Sequence, residues 1–567
     1  MVRLLTIGFL LFALATPAAG SIWATPIPMD DKVAWTPPRL TAGAGGDLAM
    51  TWARTIGDAH QSVATVWPAG ASGFGGLDPL SDVITGLVNM GRPGVGPDGR
   101  LEAPMFLQAN NGSPHFVVVD RPPGGPADNA TQLDTRSGPS WGAAVVGPGG
   151  ETTVLWTTAG KDFYCCPLRA STRPPGGSFE SPVHLDDGNV NDAHPPQVGV
   201  DAAGDITAVW IGSDSGQHGY FVAYRPAGGA WTKPTEVPVD GGMGQPTLAV
   251  RPDGSETLAF QRWSGTIMVA DGRNGVFGAP VGMGTAGFAL PNLRLATNAR
   301  GDVALAWQMQ VNGDYGSHPV FATRPAAGTW TPPLIYAGCG WNFGQDVAVD
   351  ADGNVAAVWE ELLLGDSSVQ RNAVIQSLLF SPSGGWAGAE QISPGSMNAT
   401  GADVAIASDG RAVAAYGVAQ GSNGAPVATA TTRPLADAVS TAEPVESRRP
   451  PGCDPPPTPP VPTAVPSSPP ALRLPAVVRR RGNRVAVRVR CPSGALTCQG
   501  EVTLFSRGVN IGGAPVNLDG ATAQTVQVPL LLPLRGRRVV VAGYTSGTSA
   551  DQQGPTVSRR SAQVRRR

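Results

Sequence analysis

The sequence is poor in charge, in lysine and in long apolar runs. Charged residues make up 15% of the 567 residues, against about 25% in an average protein. Only three of its 40 cationic residues are lysines. Beyond residue 20 no apolar run reaches the length of about 18 residues that a membrane helix needs, so no membrane-spanning helix is expected there. The six histidines form no HExxH motif, which leaves a zinc hydrolase without support.

Glycine and proline are abundant instead. The chain has 75 Gly and 55 Pro, and both residues interrupt helices and strands, which excludes long helices and coiled coils. A hydrophobic fraction of 41% with 14 Trp excludes a wholly disordered chain. The composition therefore predicts many short strands joined by tight turns.

The first 20 residues have the pattern of a signal peptide. Arg3 is followed by the apolar run Leu4 to Ala15, and Ala18-Ala19-Gly20 supplies the small residues of a cleavage site. We therefore expect a secreted or extracellular protein. Association with the cell envelope after export is an alternative within this prediction.

Export to an oxidising compartment favours disulfides among the six cysteines. Cys491 and Cys498 are the favoured pair because a short hairpin-like segment separates them. A zinc site is the rival interpretation, but it lacks a CxxC motif or nearby histidines. The full connectivity stays open, since six cysteines allow 15 pairings.

A repeat of 47 to 57 residues runs through most of the chain. Each copy has a glycine turn between two alternating apolar segments, which is the pattern of a β-hairpin. The eight turn glycines are Gly46, Gly99, Gly150, Gly204, Gly254, Gly301, Gly353 and Gly410.

A large side chain stands six positions after each of these glycines. The spacing predicts that it lies on the packed face of the second strand and has a structural role in every repeat. These residues are Trp52, Trp156, Trp210, Phe260, Trp307, Trp359 and Tyr416, with Met105 in the second copy.

A second motif, Arg-Pro-x-Gly-Gly, follows most of the hairpins and predicts a turn between a third strand and a fourth. Four strands per unit predict an all-β fold, a β-propeller of eight four-stranded blades or alternatively seven, over residues 21–446. The Gly-rich stretch from Gly70 to Gly91 is interpreted as a surface insertion. The arginines of the motif recur, which predicts a structural role; they are Arg121, Arg173, Arg225, Arg324 and Arg433.

The composition changes after residue 446. Residues 447–470 are rich in proline and predict an extended, semi-rigid linker. Residues 471–567 contain 16 Arg, no Lys and three acidic residues. Alternating segments such as Arg484 to Arg490 predict a small basic β-sandwich of immunoglobulin-like type. Its charge suits an anionic polymer of the cell envelope, and no specific nucleic acid is expected.

The repeat resembles secreted bacterial β-propeller proteins that are loosely described as sialidase-like. The resemblance rests on the Asp-Gly hairpin that ends in Trp and on the Arg-Pro-x-Gly-Gly turn, and it covers about residues 35–446. The end of the chain, with Arg-Val-Arg-Cys491 and Cys498, resembles small Arg-rich β-sandwich modules. The aromatic residue of a sialidase Asp-box follows the glycine by three positions, whereas here it follows by six, so no sialidase residue is carried over.

Two local patterns in the sequence resemble chemical sites. Asp350, Asp352 and Asn354, with Glu361 at the twelfth position, resemble a calcium loop, although a β-turn explains the first three equally well. Glu360 and Glu361 are paired acids, but adjacent strand residues point to opposite faces and do not flank one bond. Calcium therefore stays a minor alternative to the absence of any cofactor, and catalytic residues stay unknown.

These observations predict a secreted, non-enzymatic binding or surface protein whose propeller recognises a glycan or a protein. A propeller-type glycoside hydrolase, sialidase-like, or a lyase is the alternative, and a structural envelope component is the third hypothesis. An enzyme is the less favoured class because the repeat offers no unique catalytic set.

Overall fold

A computed structural model describes most of the repeat region and part of the C-terminal region. Neither the predicted signal peptide nor the proline-rich linker lies within the described residues. Those residues are 23–34, 36–110, 115–127, 130–135, 141–157, 168–185, 195–214, 217–237, 243–262, 264–286, 292–310, 317–326, 328–336, 341–364, 371–394, 397–420, 426–435, 474–475, 477–481, 484–490, 497–506, 509–519, 522–529, 538–546 and 556–566.

The described residues are strands and turns without a helix, and no helix long and apolar enough to cross a membrane occurs in them. The first strand, β1 (Ile27–Val33), belongs to the last sheet of the repeat region. Sheets 1 to 4 follow along the chain. They contain β2 (Arg39–Ala42), β3 (Leu48–Ile56), β4 (Ala59–Trp67) and β5 (Asp78–Pro79); β6 (Gly86–Met90), β7 (Gly94–Val95), β8 (Leu101–Ala109), β9 (His115–Arg121) and β10 (Ala130–Asp134); β11 (Gly142–Val146), β12 (Thr152–Thr157), β13 (Leu168–Arg173) and β14 (Val183–His184); and β15 (Gln197–Val200), β16 (Ile206–Asp214), β17 (Gln217–Arg225) and β18 (Thr235–Glu236).

Sheets 5 to 8 continue the same pattern of antiparallel neighbours. They contain β19 (Met243–Val250), β20 (Ser255–Gln261), β21 (Thr266–Arg273), β22 (Val276–Phe277) and β23 (Val281–Thr285); β24 (Arg294–Thr297), β25 (Val303–Gln310), β26 (Ser317–Arg324) and β27 (Leu334–Ile335); β28 (Trp341–Val349), β29 (Val355–Leu364), β30 (Arg371–Ser381), β31 (Gly385–Trp386) and β32 (Glu390–Gln391); and β33 (Met397–Ile406), β34 (Arg411–Gln420) and β35 (Pro426–Pro434), with β1.

The turn between the first two strands has the same geometry in all eight sheets. In sheet 7 the Gly353 N–H donates to the Asp350 carbonyl at 3.2 Å, and the Asp350 N–H donates to the Asn354 carbonyl at 2.9 Å. All eight repeat glycines have φ between 79° and 95°, a conformation that costs glycine little and other residues much. The repeated glycine is therefore required by the backbone of the turn.

Apolar clusters join each sheet to the next and close a ring. They join sheets 1 and 2, 2 and 3, 3 and 4, 4 and 5, 5 and 6, 6 and 7, 7 and 8, and finally 8 and 1. Each sheet thereby buries both of its faces, which a single four-stranded sheet does not achieve alone. A ring of such sheets is a β-propeller, so the predicted all-β propeller fold is confirmed.

The repeated large side chain packs against the preceding sheet in every case. Trp359 of β29, for example, contacts Tyr336 at 4.7 Å and Phe321 at 5.6 Å between ring centroids, both from sheet 6. The eight side chains are at most 2% exposed; they are Trp52, Met105, Trp156, Trp210, Phe260, Trp307, Trp359 and Tyr416. Each one therefore seals one interface between sheets.

The repeated arginines lie at the end of the third strand and form ion pairs with the preceding sheet. Arg173 of sheet 3 contacts both Glu102 and Asp120 of sheet 2. The other four pairs have N to O distances of 2.5 Å; they are Arg121 with Asp78, Arg225 with Glu151, Arg324 with Asp271 and Arg433 with Glu390. These arginines thus connect neighbouring sheets.

Part of the predicted insertion between Gly70 and Gly91 has a different structure. Asp78–Pro79 is the fourth strand of sheet 1, and Gly86–Met90 begins sheet 2. The prediction of a surface insertion was wrong because short or glycine-containing strands carry little apolar alternation.

The C-terminal region contains seven strands that are hydrogen-bonded in one continuous order. Its strands follow the order β39-β38-β41-β42-β36-β37-β40, and only β36 and β42 are parallel. All seven strands are thus linked by hydrogen bonds among the described residues. Their bounds are β36 (Val477–Arg481), β37 (Arg484–Arg490), β38 (Thr497–Ser506), β39 (Val509–Asp519), β40 (Ala523–Pro529), β41 (Arg538–Ser546) and β42 (Thr556–Arg566).

The favoured disulfide stays a prediction. Cys498 lies in β38, whereas Cys491 lies outside the described residues.

We predict that Trp359→Ala destabilises the ring strongly. The substitution removes a fully buried side chain and leaves a cavity between sheets 6 and 7, at a cost of about 3–5 kcal/mol. The urea midpoint of unfolding measures the loss. Val276→Ala is the control, because Val276 is 75% exposed and its removal changes the midpoint little. Equal midpoints for both variants would contradict the packing described for Trp359.

We also predict that Glu102 makes stability fall between mildly acidic and neutral pH. Burial raises the pKa of Glu102 to about 7, although Arg173 opposes the shift. An acid with a raised pKa in the folded state favours folding when protonated, so stability falls as pH rises from about 4.5 to 7, by about 3 kcal/mol. Unfolding free energies across this range are expected to show a flatter profile for Glu102→Gln. The exposed Glu180→Gln serves as control, and an unchanged profile for Glu102→Gln would refute the assignment.

Candidate functional site

The innermost strands of the eight sheets encircle the centre of the ring. In seven sheets the strand before the repeat turn is the first of the four at the centre, and in sheet 2 it is β7; these inner strands contact one another in sequence around the ring. The contact order is β2, β7, β11, β15, β19, β24, β28, β33 and again β2. Residues at one repeat position of these strands therefore form a circle.

One such position lies seven residues before the turn glycine. In seven of the sheets its residue pairs with the residue five positions after the glycine, so the register is shared. In sheet 2 the residue forms an isolated bridge to sheet 3. Around the ring the residues are Arg39, Arg92, Ala143, Gln197, Thr247, Arg294, Asp346 and Asp403. We refer to these eight residues as the inner ring.

Two acids of the inner ring are hydrogen-bonded to each other and to neighbouring backbone. The Asp346 carboxylate accepts the Val404 N–H at 2.9 Å, and the Asp403 carboxylate accepts the Leu40 N–H at 2.9 Å. Burial, with the charge and hydrogen bond of Asp403, raises the pKa of Asp346 well above its ordinary value. The two acids thus connect sheets 7, 8 and 1 at the centre of the ring.

Arg294 lies beside this acid pair. Its Nε is 3.7 Å from an Asp346 carboxylate oxygen, and its side chain is 33% exposed. Burial lowers the pKa of Arg294; the carboxylates of Asp346 and Asp403 oppose this shift, and the positive charges of Arg39 and Arg92 add to it. Three arginines from sheets 1, 2 and 6 thus act on one another at the centre of the ring.

Arg39 and Arg92 are exposed. Neither forms an ion pair with an acid among the described residues, while Arg92 donates to the Gln197 amide oxygen at 3.4 Å. The small Ala143 occupies the intervening inner-ring position, which leaves space for this contact between sheets 2 and 4.

This arrangement is suited to holding an anion. Guanidinium groups bind carboxylate, sulfate and phosphate through paired hydrogen bonds. The inner ring has three arginines and two acids, so its positive groups outnumber its negative ones. Its glutamine and threonine add neutral hydrogen-bonding groups of the kind that orient a polar ligand.

The residues of the suggested calcium loop have other partners. One Asp350 carboxylate oxygen accepts the N–H groups of Asp352 and Asn354 at 2.9 and 2.8 Å, and the other accepts the Asn354 side-chain amide at 2.8 Å. Glu361 instead accepts from Gln376 at 2.9 Å on β30. Among the described residues no group of three or more His, Cys, Asp or Glu side chains is placed to hold a metal ion.

The adjacent acids Glu360 and Glu361 point apart. Glu360 accepts the N–H of Gly401 in sheet 8 at 3.1 Å, and burial raises the pKa of Glu360. Glu361 bonds within its own sheet to Gln376. The two carboxylates therefore do not act on one bond.

The predicted structural residues and the inner ring are different sets. The repeated large side chains from Trp52 to Tyr416 lie between sheets, and the repeated arginines lie at the ends of third strands. Sequence reasoning missed Arg39, Arg92 and Arg294. It considered the arginines that recur in the repeat, whereas these three stand at a repeat position whose residue type varies. The signal is the position seven before each turn glycine, where the eight copies differ in charge.

No protein-family model matches the chain, and no curated protein matches it. Several solved structures are similar to it. Polysaccharide lyase Uly1 has 11% identity and a TM-score of 0.39, covering 72% of this chain and 100% of that one. The β-propeller domain of the Trilobed protease from Pyrococcus furiosus has 7% identity and a TM-score of 0.36, covering 64% and 98%. NanB sialidase from Streptococcus pneumoniae has 9% identity and a TM-score of 0.33, covering 71% and 68%.

We predict that Asp346→Asn flattens the pH dependence of stability. Because the pKa of Asp346 is raised on folding, stability decreases as pH rises above the ordinary aspartate range, until the folded-state pKa is passed. Asparagine keeps an acceptor for Val404 and can donate to Asp403, so the variant is expected to unfold at the same or higher urea concentration than the parent at pH 8. Asp58→Asn, in an exposed turn, is the control. An unchanged or steeper pH profile for Asp346→Asn would refute the raised pKa of Asp346.

Proposed function

We propose that this is a secreted, non-enzymatic binding protein whose propeller recognises a glycan bearing an anionic group. The observation that carries the proposal is the inner ring, where Arg39, Arg92 and Arg294 come together from three sheets. A carboxylate or sulfate on a sugar fits this charge, while the sugar hydroxyls suit the neutral polar groups beside it.

The fold supports recognition by a rigid site. Arg294 is oriented by Asp346, and Asp346 is held by the backbone of β33. Binding groups that are fixed before the ligand arrives lose less conformational freedom on binding. The ring thus offers arginines whose positions depend on three packed sheets.

A propeller-type glycoside hydrolase or lyase is the second candidate, since the inner ring contains an acid pair with a raised pKa. Glycoside hydrolases separate their two carboxyl groups by about 5–9.5 Å, so that a sugar or a water fits between them. Asp346 and Asp403 are hydrogen-bonded to each other and bound to backbone N–H groups. Their contact favours a positioning role and hence a binding protein.

The C-terminal region is proposed to be an immunoglobulin-like module that keeps the propeller near the cell envelope. In its pairing order β36 contacts β37 on one side and the parallel strand β42 on the other. Strand β36 therefore links the pair β37 and β40 to the group β42, β41, β38 and β39. A first strand that pairs with both halves is compatible with two packed layers.

The ring proposal predicts binding of a carboxylated oligosaccharide. We expect a galacturonate trisaccharide to bind the full chain, measured by isothermal titration calorimetry, and its uncharged methyl ester to bind far more weakly. Arg294→Gln is expected to weaken binding of the acid by about 10- to 100-fold, since hydrogen bonds to charged groups contribute about 1.5–3 kcal/mol. A sulfated trisaccharide tests the other anionic class.

Arg300→Gln is the matched control for this experiment. It removes one guanidinium that is paired with Asp302 in the turn after β24, outside the inner ring, and binding is expected to stay unchanged. Equal binding of acid and ester, or no binding of either anionic sugar, would overturn the proposal. Release of new reducing or unsaturated ends during incubation would instead establish the enzymatic alternative, and a purely structural component would bind none of these probes.

A further inference from the structure

One face of the C-terminal sheet is lined by arginines. On β37 the pattern alternates, so that Val485, Val487 and Val489 are buried while Arg484, Arg488 and Arg490 are exposed. Arg479 of the neighbouring β36 is also exposed and pairs with Ala486 of β37, which places it on the same face. We refer to Arg479, Arg484, Arg488 and Arg490 as the arginine face.

No acidic residue balances this charge on the surrounding strands. The sequences of β36, β37, β40 and β42 contain no Asp or Glu. On β40 the residues that pair with Arg490 and Arg488 are Ala523 and Thr525, both exposed. The face therefore has four arginines on β36 and β37, and the sequences of the two flanking strands contain no acid to balance them.

The geometry suits an extended polymer. Same-face residues along a strand are spaced by about 6.6 Å, so Arg484 to Arg490 form a row of about 20 Å. Arg479 lies on the next strand, about 4.8 Å away, beside Ala486 in the middle of this row. A chain with repeated anionic groups contacts several of these arginines at once, and such multiple contacts release counterions together.

The composition of the face favours an acidic polysaccharide over nucleic acid or a membrane. Its four strands contain no aromatic residue, whereas single-stranded nucleic acids are held by stacking of bases on aromatic side chains. The four strands are neighbours within one sheet, whereas the elements that enter the major groove of a duplex are an α-helix or a two-stranded β-ribbon. Val477 is the one large exposed apolar residue described on these strands, which leaves little to insert into a bilayer.

We propose that the arginine face is a second binding site, which docks a linear polysaccharide carrying carboxylate or sulfate groups. It lies on a different module from the inner ring and acts independently of the ligand bound there. The propeller site recognises one anionic group, while the arginine face retains the protein along a polymer.

The experiment compares the full chain with the triple variant Arg479→Gln/Arg484→Gln/Arg488→Gln. Binding to immobilised polygalacturonate and to heparin is measured at increasing salt. The variant is expected to bind at least about 10-fold more weakly, with a shallower dependence on salt, because it releases fewer counterions. The corresponding triple lysine variant keeps the charge and is expected to retain most of the binding to the polymers.

The matched control removes three exposed arginines from the propeller, Arg273→Gln/Arg300→Gln/Arg411→Gln, whose side chains are 59, 52 and 44% exposed. It has the same net charge as the test variant and is expected to bind like the parent. Equal loss in both triples would show that net charge alone is responsible and would overturn the proposal. Stronger binding to duplex DNA or to anionic lipid vesicles than to both polysaccharides would overturn it as well.

Arg294→Gln separates this proposal from the propeller function. It is expected to weaken trisaccharide binding by about 10- to 100-fold while keeping most of the salt-sensitive retention on the polymers. The arginine-face variant is expected to keep trisaccharide binding and to lose most of the retention. Circular dichroism of each variant establishes that the fold is kept. If Arg294→Gln alone abolished polymer retention, the arginine face would not be the docking site.

Discussion

The pairing of β1 with β35 closes the ring, and the remaining interfaces depend on it. β1 lies at the beginning of the repeat region and β35 at its end, yet they are antiparallel neighbours in sheet 8. The segment before β1 adds to this closure, since the Trp23 indole N–H donates to the Ser377 hydroxyl at 3.2 Å and Trp23 packs among residues of sheets 7 and 8. Once the ring is closed, each of its eight sheets, as far as the structure describes them, has a neighbouring sheet on both faces.

The repeat separates positions that maintain the fold from positions that differ. Three features recur in the repeat: the turn glycine, the large side chain after it and the arginine of the third strand. They recur because each interface between sheets needs the same turn, the same buried side chain and a similar ion pair. The inner ring occupies an equally regular position but contains arginine, aspartate, glutamine, threonine and alanine. A position that the backbone constrains in place and leaves variable in chemistry is where a symmetrical scaffold can acquire an asymmetric site.

Arginine has three different roles in this chain. At the ends of the third strands it is paired with acids of the adjacent sheet. In the inner ring Arg294 lies beside the pair formed by Asp346 and Asp403, and Arg39 and Arg92 are exposed. On the arginine face of the C-terminal module, like charges lie side by side with no acid on the surrounding strands. The same residue type thus contributes to structure where it is paired, and we propose that it serves recognition where its charge exceeds that of its neighbours.

The sequence by itself determined the repeat, the turn glycines, the buried position of Trp359 and its counterparts, and the all-β class, because these features depend on local turn geometry and on alternation at two residues. It misplaced the strands between Gly70 and Gly91, where alternation is weak. It also passed over Arg39, Arg92 and Arg294, which are separated along the chain by 53 and 202 residues. Only ring closure brings these arginines together, because electrostatic interaction depends on distance in space, which the order of residues does not state.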